Sequence, residues 1–175
     1  MDSDTPRGEM DVEKMDRYEK ILEQAAGGEM PEPRAERERN PVDHWTPAVL
    51  LERGAYLKKL AKHGSGAAGE TLKEYTRHTA MLSYRNRDGE AEVHARFADL
   101  FCVLAGAATL VTGGTVVKAR TVGPGETRGD GIEGGARQEL RAGDVAHIPA
   151  GVPHQMLVAG EKTFTAFVLK IEERE

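Results

Sequence analysis

The sequence has little of what several classes of protein require. Its 175 residues include a single cysteine, Cys102, so no disulfide can form within the chain. No apolar run approaches the ~20 residues of a membrane-spanning helix, and the first ten residues lack the basic start and apolar middle of a secretory signal. Acidic residues outnumber basic ones by 29 to 24, which leaves no basic excess to attract nucleic acid. We therefore expect a cytoplasmic protein with no membrane and no nucleic-acid partner.

Several catalytic patterns are missing as well. The sequence contains no serine or cysteine nucleophile arrangement, no phosphate loop of the form GxxxxGK[ST], and no GxGxxG between a strand and a helix. Cys102 lies in the apolar run LFCVL, where a thiol behaves as a small hydrophobic side chain. What is present is 39% hydrophobic and 30% charged residues, a balance typical of one soluble domain with an appendage at this length.

The N-terminal third, residues 1–45, predicts an arm outside the main domain. Apolar residues recur at spacings of three and four from Val12 to Ala25, which indicates an amphipathic helix. Three prolines and many charges follow it, which favours an extended strap. The helix cannot bury its apolar stripe against that strap, so it needs a barrel of its own chain or of a partner. We expect a homodimer in which the arm packs on the neighbouring subunit.

A second helix is predicted within residues 46–66. Thr46 followed by Pro47 is a favourable helix start, and Gly64 can end the helix after about four turns. The apolar face predicted for this helix consists of Val49, Leu50, Leu57, Leu60 and Ala61. We expect it to pack on the domain formed by residues 67–175.

Residues 67–175 predict an antiparallel β-domain. From Thr71 onward, short runs rich in Val, Thr, Leu and Phe alternate with glycines, which is typical of strands. Gly113 and Gly114 separate two β-branched runs and predict a two-residue hairpin turn. The glycine-rich segment 122–135 is predicted to be a mobile connection or a lid.

The stretch GDVAHIPAGVPHQ, residues 143–155, fixes its backbone just before a histidine. A short strand over Val145–Ile148 and a turn containing two prolines and a glycine lead to His154, which begins the next strand. Because proline locks φ, this turn holds the imidazole with less thermal motion than a flexible loop would. The pattern therefore favours a positioned functional histidine.

This stretch resembles the second motif of the cupins. Gly143, five residues, Pro149, one residue, Gly151, two residues and His154 follow the spacing of that motif position by position. The asparagine that often follows is replaced by Val158. The resemblance extends over about residues 67–172 and identifies a single-domain cupin.

The first cupin motif, H-x-H, three or four residues, E, six residues, G, is matched less completely by residues 92–106. His94 occupies the second histidine position, Asp99 replaces the glutamate, and Gly106 follows after six residues. Glu92 stands where the first histidine is usual. The departures leave the ligand roles of Glu92 and Asp99 open.

The resemblance implies a mainly β fold, a jelly-roll β-barrel with an N-terminal helical arm, and a divalent transition metal (Fe, Mn, Zn, Ni or Co) at the barrel mouth. The implied ligands are His94, His154, Asp99 and Glu92. Two imidazoles and two carboxylates suit these metals and contain too much nitrogen for a dedicated calcium site. If Glu92 turns away from the metal, the remainder is a two-histidine, one-carboxylate triad with open positions, and Glu92 becomes a candidate general base.

Several of these residues also fit structural roles. Asp99 can cap the turn near Phe97, and an exposed carboxylate such as Glu92 is common at a strand end. We expect His147 on the barrel exterior or at a dimer contact rather than among the ligands.

Four charged residues near these motifs could also have either a functional or a structural role. Arg85 and Arg87 could hold an anionic substrate, although two arginines beside DGE are also typical of a solvated strand end. The same caution applies to Glu126 and Arg128 in the glycine-rich segment, which we do not assign to a site.

Two hypotheses about function follow from the implied metal site. The first is a metal-dependent enzyme of the dioxygenase, isomerase or lyase type that acts on a small polar molecule. The second is a barrel that binds or senses a small molecule without converting it. The cupin fold does not choose between them, because one fold can carry many functions.

Overall fold

The structure, a computed structural model, describes residues 42–173. Within them one helix, α1 (Pro47–Lys62), precedes twelve strands. The strands are β1 (Ala67–Glu74), β2 (His78–Arg85), β3 (Ala91–His94), β4 (Phe97–Thr112), β5 (Thr115–Val117), β6 (Arg120–Gly123), β7 (Glu126–Gly129), β8 (Gly131–Glu133), β9 (Ala136–Arg141), β10 (Val145–Ile148), β11 (His154–Leu157) and β12 (Phe164–Glu172). No helix in this range is both long and apolar enough to cross a membrane. The predicted helix over residues 12–25 lies outside the described residues, so the arm and its dimer contact stay predictions.

Two antiparallel sheets share the long strand β4. Its first half pairs with β10 and β12, and β12 continues the sheet through β2 to β1. Its second half pairs with β9 and β11, and β11 continues through β3 and β7 to β6. The sheets curl around one apolar core that contains residues of β4, β9, β10, β11 and β12. The predicted mainly β, jelly-roll architecture is confirmed.

Gly106 stands where β4 passes from one sheet to the other. Its φ is +78°, a left-handed conformation that favours glycine. A Cβ atom there would lie 1.8 Å from the carbonyl oxygen of Thr163. The glycine of the first motif is therefore required both by the backbone conformation and by the close approach of the segment before β12.

Helix α1 packs on the outer face of β1 and β2. The Thr46 hydroxyl accepts a hydrogen bond from the Val49 amide at 3.3 Å, which caps the helix start as predicted. Buried Leu50, Leu57 and Ala61 form a second apolar cluster with Leu82 and Tyr84 of β2. Two members of the predicted apolar face, Val49 and Leu60, are instead exposed.

The predicted hairpin at Gly113 and Gly114 is wrong. Both glycines have φ of +71°, as a two-residue hairpin turn requires, but the strands on either side do not pair with each other. The end of β4 already bonds to β9 on one side and β11 on the other, so β5 pairs with β8. A local turn signal was overridden by neighbours that are distant in sequence.

The glycine-rich segment 122–135 is not a loop or a lid. It forms the second half of β6 and all of β7 and β8, and β7 pairs along its whole length with β3. Its glycines permit close packing: a Cβ atom on Gly129 would lie 2.3 Å from Cγ1 of Val116. Gly129 and Gly135 therefore lie in tight contacts between segments, whereas Gly125 and Gly134 adopt the left-handed conformation of turns.

Candidate metal centre

His154 is held by the proline turn that the sequence predicts before it. The amide of Gly151 donates to the carbonyl oxygen of His94 at 2.8 Å, and the amide of Val152 donates to that of Pro149 at 3.3 Å. Nδ1 of His154 lies 3.1 Å from the carbonyl oxygen of Val152. Because a carbonyl only accepts, Nδ1 is the donor, and Nε2 is the ring nitrogen of His154 that can face a metal.

His94 is oriented by a carboxylate on the neighbouring strand. Glu126 of β7 stands directly opposite His94 of β3, and Glu126 Oε2 lies 2.6 Å from His94 Nδ1. The opposite ring nitrogen, Nε2, faces the interior. Metal-binding histidines have this arrangement, in which the second nitrogen donates to a carboxylate or a carbonyl and fixes the tautomer.

The four residues implied by the sequence motifs meet at one point. Asp99 Oδ2 lies 3.3 Å from His94 Nε2 and 3.4 Å from His154 Nε2. Glu92 Oε2 lies 3.3 Å from His94 Nε2 and 4.0 Å from His154 Nε2. One ligand atom each of Glu92, His94 and His154 lies within 4.8 Å of the other two. Both imidazoles therefore direct Nε2 toward the same pair of carboxylates.

The polar atoms of this cluster are buried and incompletely paired. Asp99 and the two histidines are each at most 5% exposed. His94 Nε2 and Asp99 Oδ1 make no hydrogen bond of normal geometry with the described residues. Buried polar atoms without partners are rare in folded proteins, because they lose hydration without compensation. A divalent cation between these atoms would satisfy Nε2 of His94, so the residues present fit a metal.

The pKa values of the cluster favour charged groups in the absence of a metal. Burial opposes protonation of His94, but the carboxylates of Asp99 and Glu92 outweigh it and raise the pKa of the imidazole to about 9. Burial raises the pKa of Glu92, while His94, Arg128 and His154 lower it, and the balance is a pKa of about 2. The same competition between burial and the two histidines holds the pKa of Asp99 well below its ordinary value.

Three cationic side chains surround the cluster. Arg128 of β7 forms an ion pair with Glu92 Oε1, since the two residues stand opposite each other on β7 and β3. Lys170 Nζ of β12 lies 3.5 Å from Asp99 Oδ1. Arg85, at the end of β2, lines the same cavity.

The sequence interpretation did not assign Glu126, Arg128 or Lys170 to the site. In a strand, residues two apart point to the same face, so Glu126 and Arg128 of the sequence ETRG share one face of β7. This pattern is informative only if the segment is recognised as a strand. The register that brings this strand beside β3 is not local and has no signature in the sequence. His147 lies on the exterior as expected, half exposed, with Nε2 3.9 Å from Glu173 Oε1.

A cavity of about 350 Å³ opens beside the cluster. Glu92, Asp99 and His154 contribute to its polar side. Its apolar side is formed mainly by Met81, Phe101, Met156, Phe164 and Val168. A volume of this size lies within the range of small-molecule sites.

Both sequence motifs therefore converge on one cluster inside a curled, two-sheet antiparallel barrel. The chain has the cupin fold. No protein-family model matches this sequence, and a search of the curated proteins finds no match.

Solved structures with a similar fold include cupins. An uncharacterized conserved protein with a double-stranded β-helix domain from Klebsiella pneumoniae is 16% identical, with 62% of this chain and 79% of that chain covered and a TM-score of 0.47. The Cnp3 cupin domain of Schizosaccharomyces pombe is 12% identical, with 61% and 65% covered and a TM-score of 0.46. A cupin superfamily protein from Desulfitobacterium hafniense is 16% identical, with 61% and 78% covered and a TM-score of 0.42.

Proposed function

We propose that this cupin binds a divalent transition metal and acts as a metal-dependent enzyme on a small polar molecule. The observation that carries the proposal is the orientation of the two histidines. Glu126 and the carbonyl of Val152 occupy the Nδ1 atoms of His94 and His154, so both Nε2 atoms face Asp99 and Glu92.

The donor set restricts the metal. Imidazole nitrogen with carboxylate oxygen suits Fe, Mn, Zn, Ni or Co, and it does not suit soft metals that prefer thiolate. Cys102 pairs through β4 with residues of β10 and β12 and has no place in the cluster. A bound divalent ion would supply Lewis-acid activation of a coordinated oxygen and, with a redox-active metal, access to dioxygen.

We assign Glu92 to the ligands rather than to general-base catalysis. Glu92 Oε2 lies within 4.0 Å of Nε2 of both histidines, so it faces the point that the two imidazoles face. The ion pair with Arg128 and the proximity of His94 both stabilise its charged form. Asp99 completes a set of two histidines and two carboxylates, and Lys170 offsets part of its charge.

The cavity is evidence that the protein binds a small molecule. Experiment must then distinguish an enzyme from a sensing barrel. An enzyme converts the molecule that it binds; a sensing barrel releases it unchanged. The metal cluster forms part of the cavity wall, since Glu92, Asp99 and His154 line it. We favour the enzyme because a bound molecule would contact the metal ligands directly.

The test begins with metal-stripped protein that is titrated with Co²⁺, whose visible absorption reports the number and type of its ligands. We expect saturation at about one Co²⁺ per chain and a spectrum that shows nitrogen and oxygen ligands. The loaded protein is then incubated with a panel of small polar metabolites, and products are followed by mass spectrometry. Metal-dependent loss of one compound supports the enzyme. Tight binding without conversion supports the sensing barrel, and the lack of a specific Co²⁺ site contradicts the metal-dependent enzyme.

A further inference from the structure

Arg85 lies on the cavity side of β2 because of the alternation of the strand. Ala80, Leu82 and Tyr84 are the buried residues of β2, and two of them pack against the cluster under α1. Met81, Ser83 and Arg85 alternate with them and line the cavity. A charged residue therefore occupies an inward-facing position on a strand whose other inward residues are uncharged.

The guanidinium of Arg85 makes no close ion pair and no hydrogen bond with residues 42–173, although the charges of Glu92 and Asp88 act on it from farther away. It forms no ion pair within 4.0 Å and no side-chain hydrogen bond, whereas Arg128 pairs with Glu92 and Lys170 lies near Asp99. The nearest acidic groups are already engaged: Asp88 Oδ1 accepts the Val158 amide at 2.7 Å, and Glu92 contacts Arg128 and His94.

A guanidinium that is partly buried and unpaired loses hydration free energy without a compensating interaction. Burial lowers the pKa of Arg85, which means that its surroundings oppose the charge, and the charge of Glu92 only partly offsets this. Buried charges in folded proteins are normally paired or bind a ligand. The planar fork of arginine matches the oxygen pairs of carboxylate and phosphate.

The charge balance of the site also favours an anionic ligand with a carboxylate or phosphate group. Around the cluster and Arg85 there are four carboxylates, Glu92, Asp99, Glu126 and Asp88, and three cations, Arg85, Arg128 and Lys170. Histidines that bind a metal do so as neutral imidazoles, so they add no charge to the metal-bound site. Glu90, at the cavity rim, is paired with Arg120. A divalent ion would therefore leave the metal-bound site with a net positive charge, which attracts an anion.

We propose that Arg85 binds the carboxylate or phosphate group of a small anionic substrate. This proposal specifies the substrate class of the metal-dependent function proposed above and rests on that function. Arg85 is the anchoring residue, and the metal cluster faces the remainder of the molecule across the cavity. The substrate class is thereby narrowed from small polar molecules to small organic acids or phosphate esters.

The test uses isothermal titration calorimetry with inorganic phosphate and malonate as probes and glycerol as the neutral control. Titrations are made at low salt on metal-free and on Co²⁺-loaded protein. We expect phosphate or malonate, but not glycerol, to bind. Arg85→Gln should weaken that binding about tenfold or more, the cost of losing hydrogen bonds to a charged group. Arg87→Gln is the matched control, an exposed arginine two residues away, and should bind as wild type does.

Metal content and melting temperature are measured on the same samples. Metal retained by Arg85→Gln with loss of anion binding supports the proposal, and anion binding equal to wild type overturns it. If Arg85→Gln does not fold, Arg85→Lys and Arg87→Lys replace the pair, and only the former should weaken binding. A wild-type protein that binds neither anion in either state also overturns it. If the protein binds anions through Arg85 but binds no metal, the metal-dependent function is contradicted and the anion site is still supported.

Discussion

Glu126 Oε2 lies 2.6 Å from Nδ1 of His94 because the two residues stand opposite each other on β7 and β3. This contact makes Nδ1 the donor and leaves Nε2 to face Asp99 and Glu92. A residue in a segment that resembles a loop in sequence therefore fixes the tautomer of a central histidine. It is a positioning residue, since it acts on the site through His94.

The first prediction concerns that contact. Glu126→Gln keeps an acceptor for the Nδ1 proton but removes the charge that increases the basicity of the ring. We expect metal affinity to fall about tenfold, and Glu126→Ala to lower it further, toward the 100-fold limit typical of such partners. Glu133→Gln, which changes an exposed glutamate in the same segment, is the control. Competition titration with a metal chelator gives the affinities, and unchanged affinity in both Glu126 variants would rule out the positioning role.

The second prediction separates the two roles of Glu92. As a ligand, Glu92→Gln should lower the affinity of stripped protein for Co²⁺ by at least about tenfold, because a neutral amide is a weaker donor. As a base, it would leave the affinity intact. Glu90→Gln removes a nearby acidic group that pairs with Arg120 outside the cluster and should bind Co²⁺ like the wild type. Equal affinity in Glu92→Gln and Glu90→Gln would exclude the ligand role.

The third prediction follows from the raised pKa of His94. With a pKa of about 9 in the metal-free protein, the ring is protonated at pH 7.5, and Nε2 must lose its proton to bind a metal. Metal binding should therefore release about one proton per chain at that pH. The apparent affinity should rise by up to tenfold per pH unit toward pH 9 and level off above it. Calorimetry in buffers of different ionisation enthalpy measures the release, and none at pH 7.5 would contradict the prediction.

The fourth prediction tests the glycine of the first motif. Gly106→Ala places a Cβ atom 1.8 Å from Thr163 O at a φ of +78°. Gly113→Ala is the matched control, since φ there is +71° and no atom lies within 4 Å. The control should lose about 1 kcal/mol of unfolding free energy for the backbone conformation alone. Gly106→Ala should lose a further ~1–3 kcal/mol for the clash. Urea denaturation measures both, and equal losses would contradict this account of β4.

The parts of the fold that the sequence predicted are those with local causes. Thr46 and Pro47 specify the start of α1 through capping and a fixed φ, and the proline turn before His154 is specified by its own backbone restrictions. Spacing alone also brought Glu92 and His94 to one face of β3. These features need no information from distant segments.

What the sequence did not predict depends on distant contacts. The prediction of a hairpin at Gly113 is wrong because β4 already has a neighbouring strand on each side. No local sequence pattern shows that these neighbours are present. Glu126 and Arg128 were not assigned because their role depends on the register between β7 and β3. Lys170 was missed because it reaches Asp99 only after β12 pairs with β4.

The metal content of the purified protein tests the central claim most directly. Elemental analysis by mass spectrometry should find about one divalent transition metal per chain in the wild type and none in His94→Ala combined with His154→Ala. His147→Ala, which changes a half-exposed histidine on β10, should keep the full content. Metal content in the double variant equal to that of the wild type would contradict the assignment of the site.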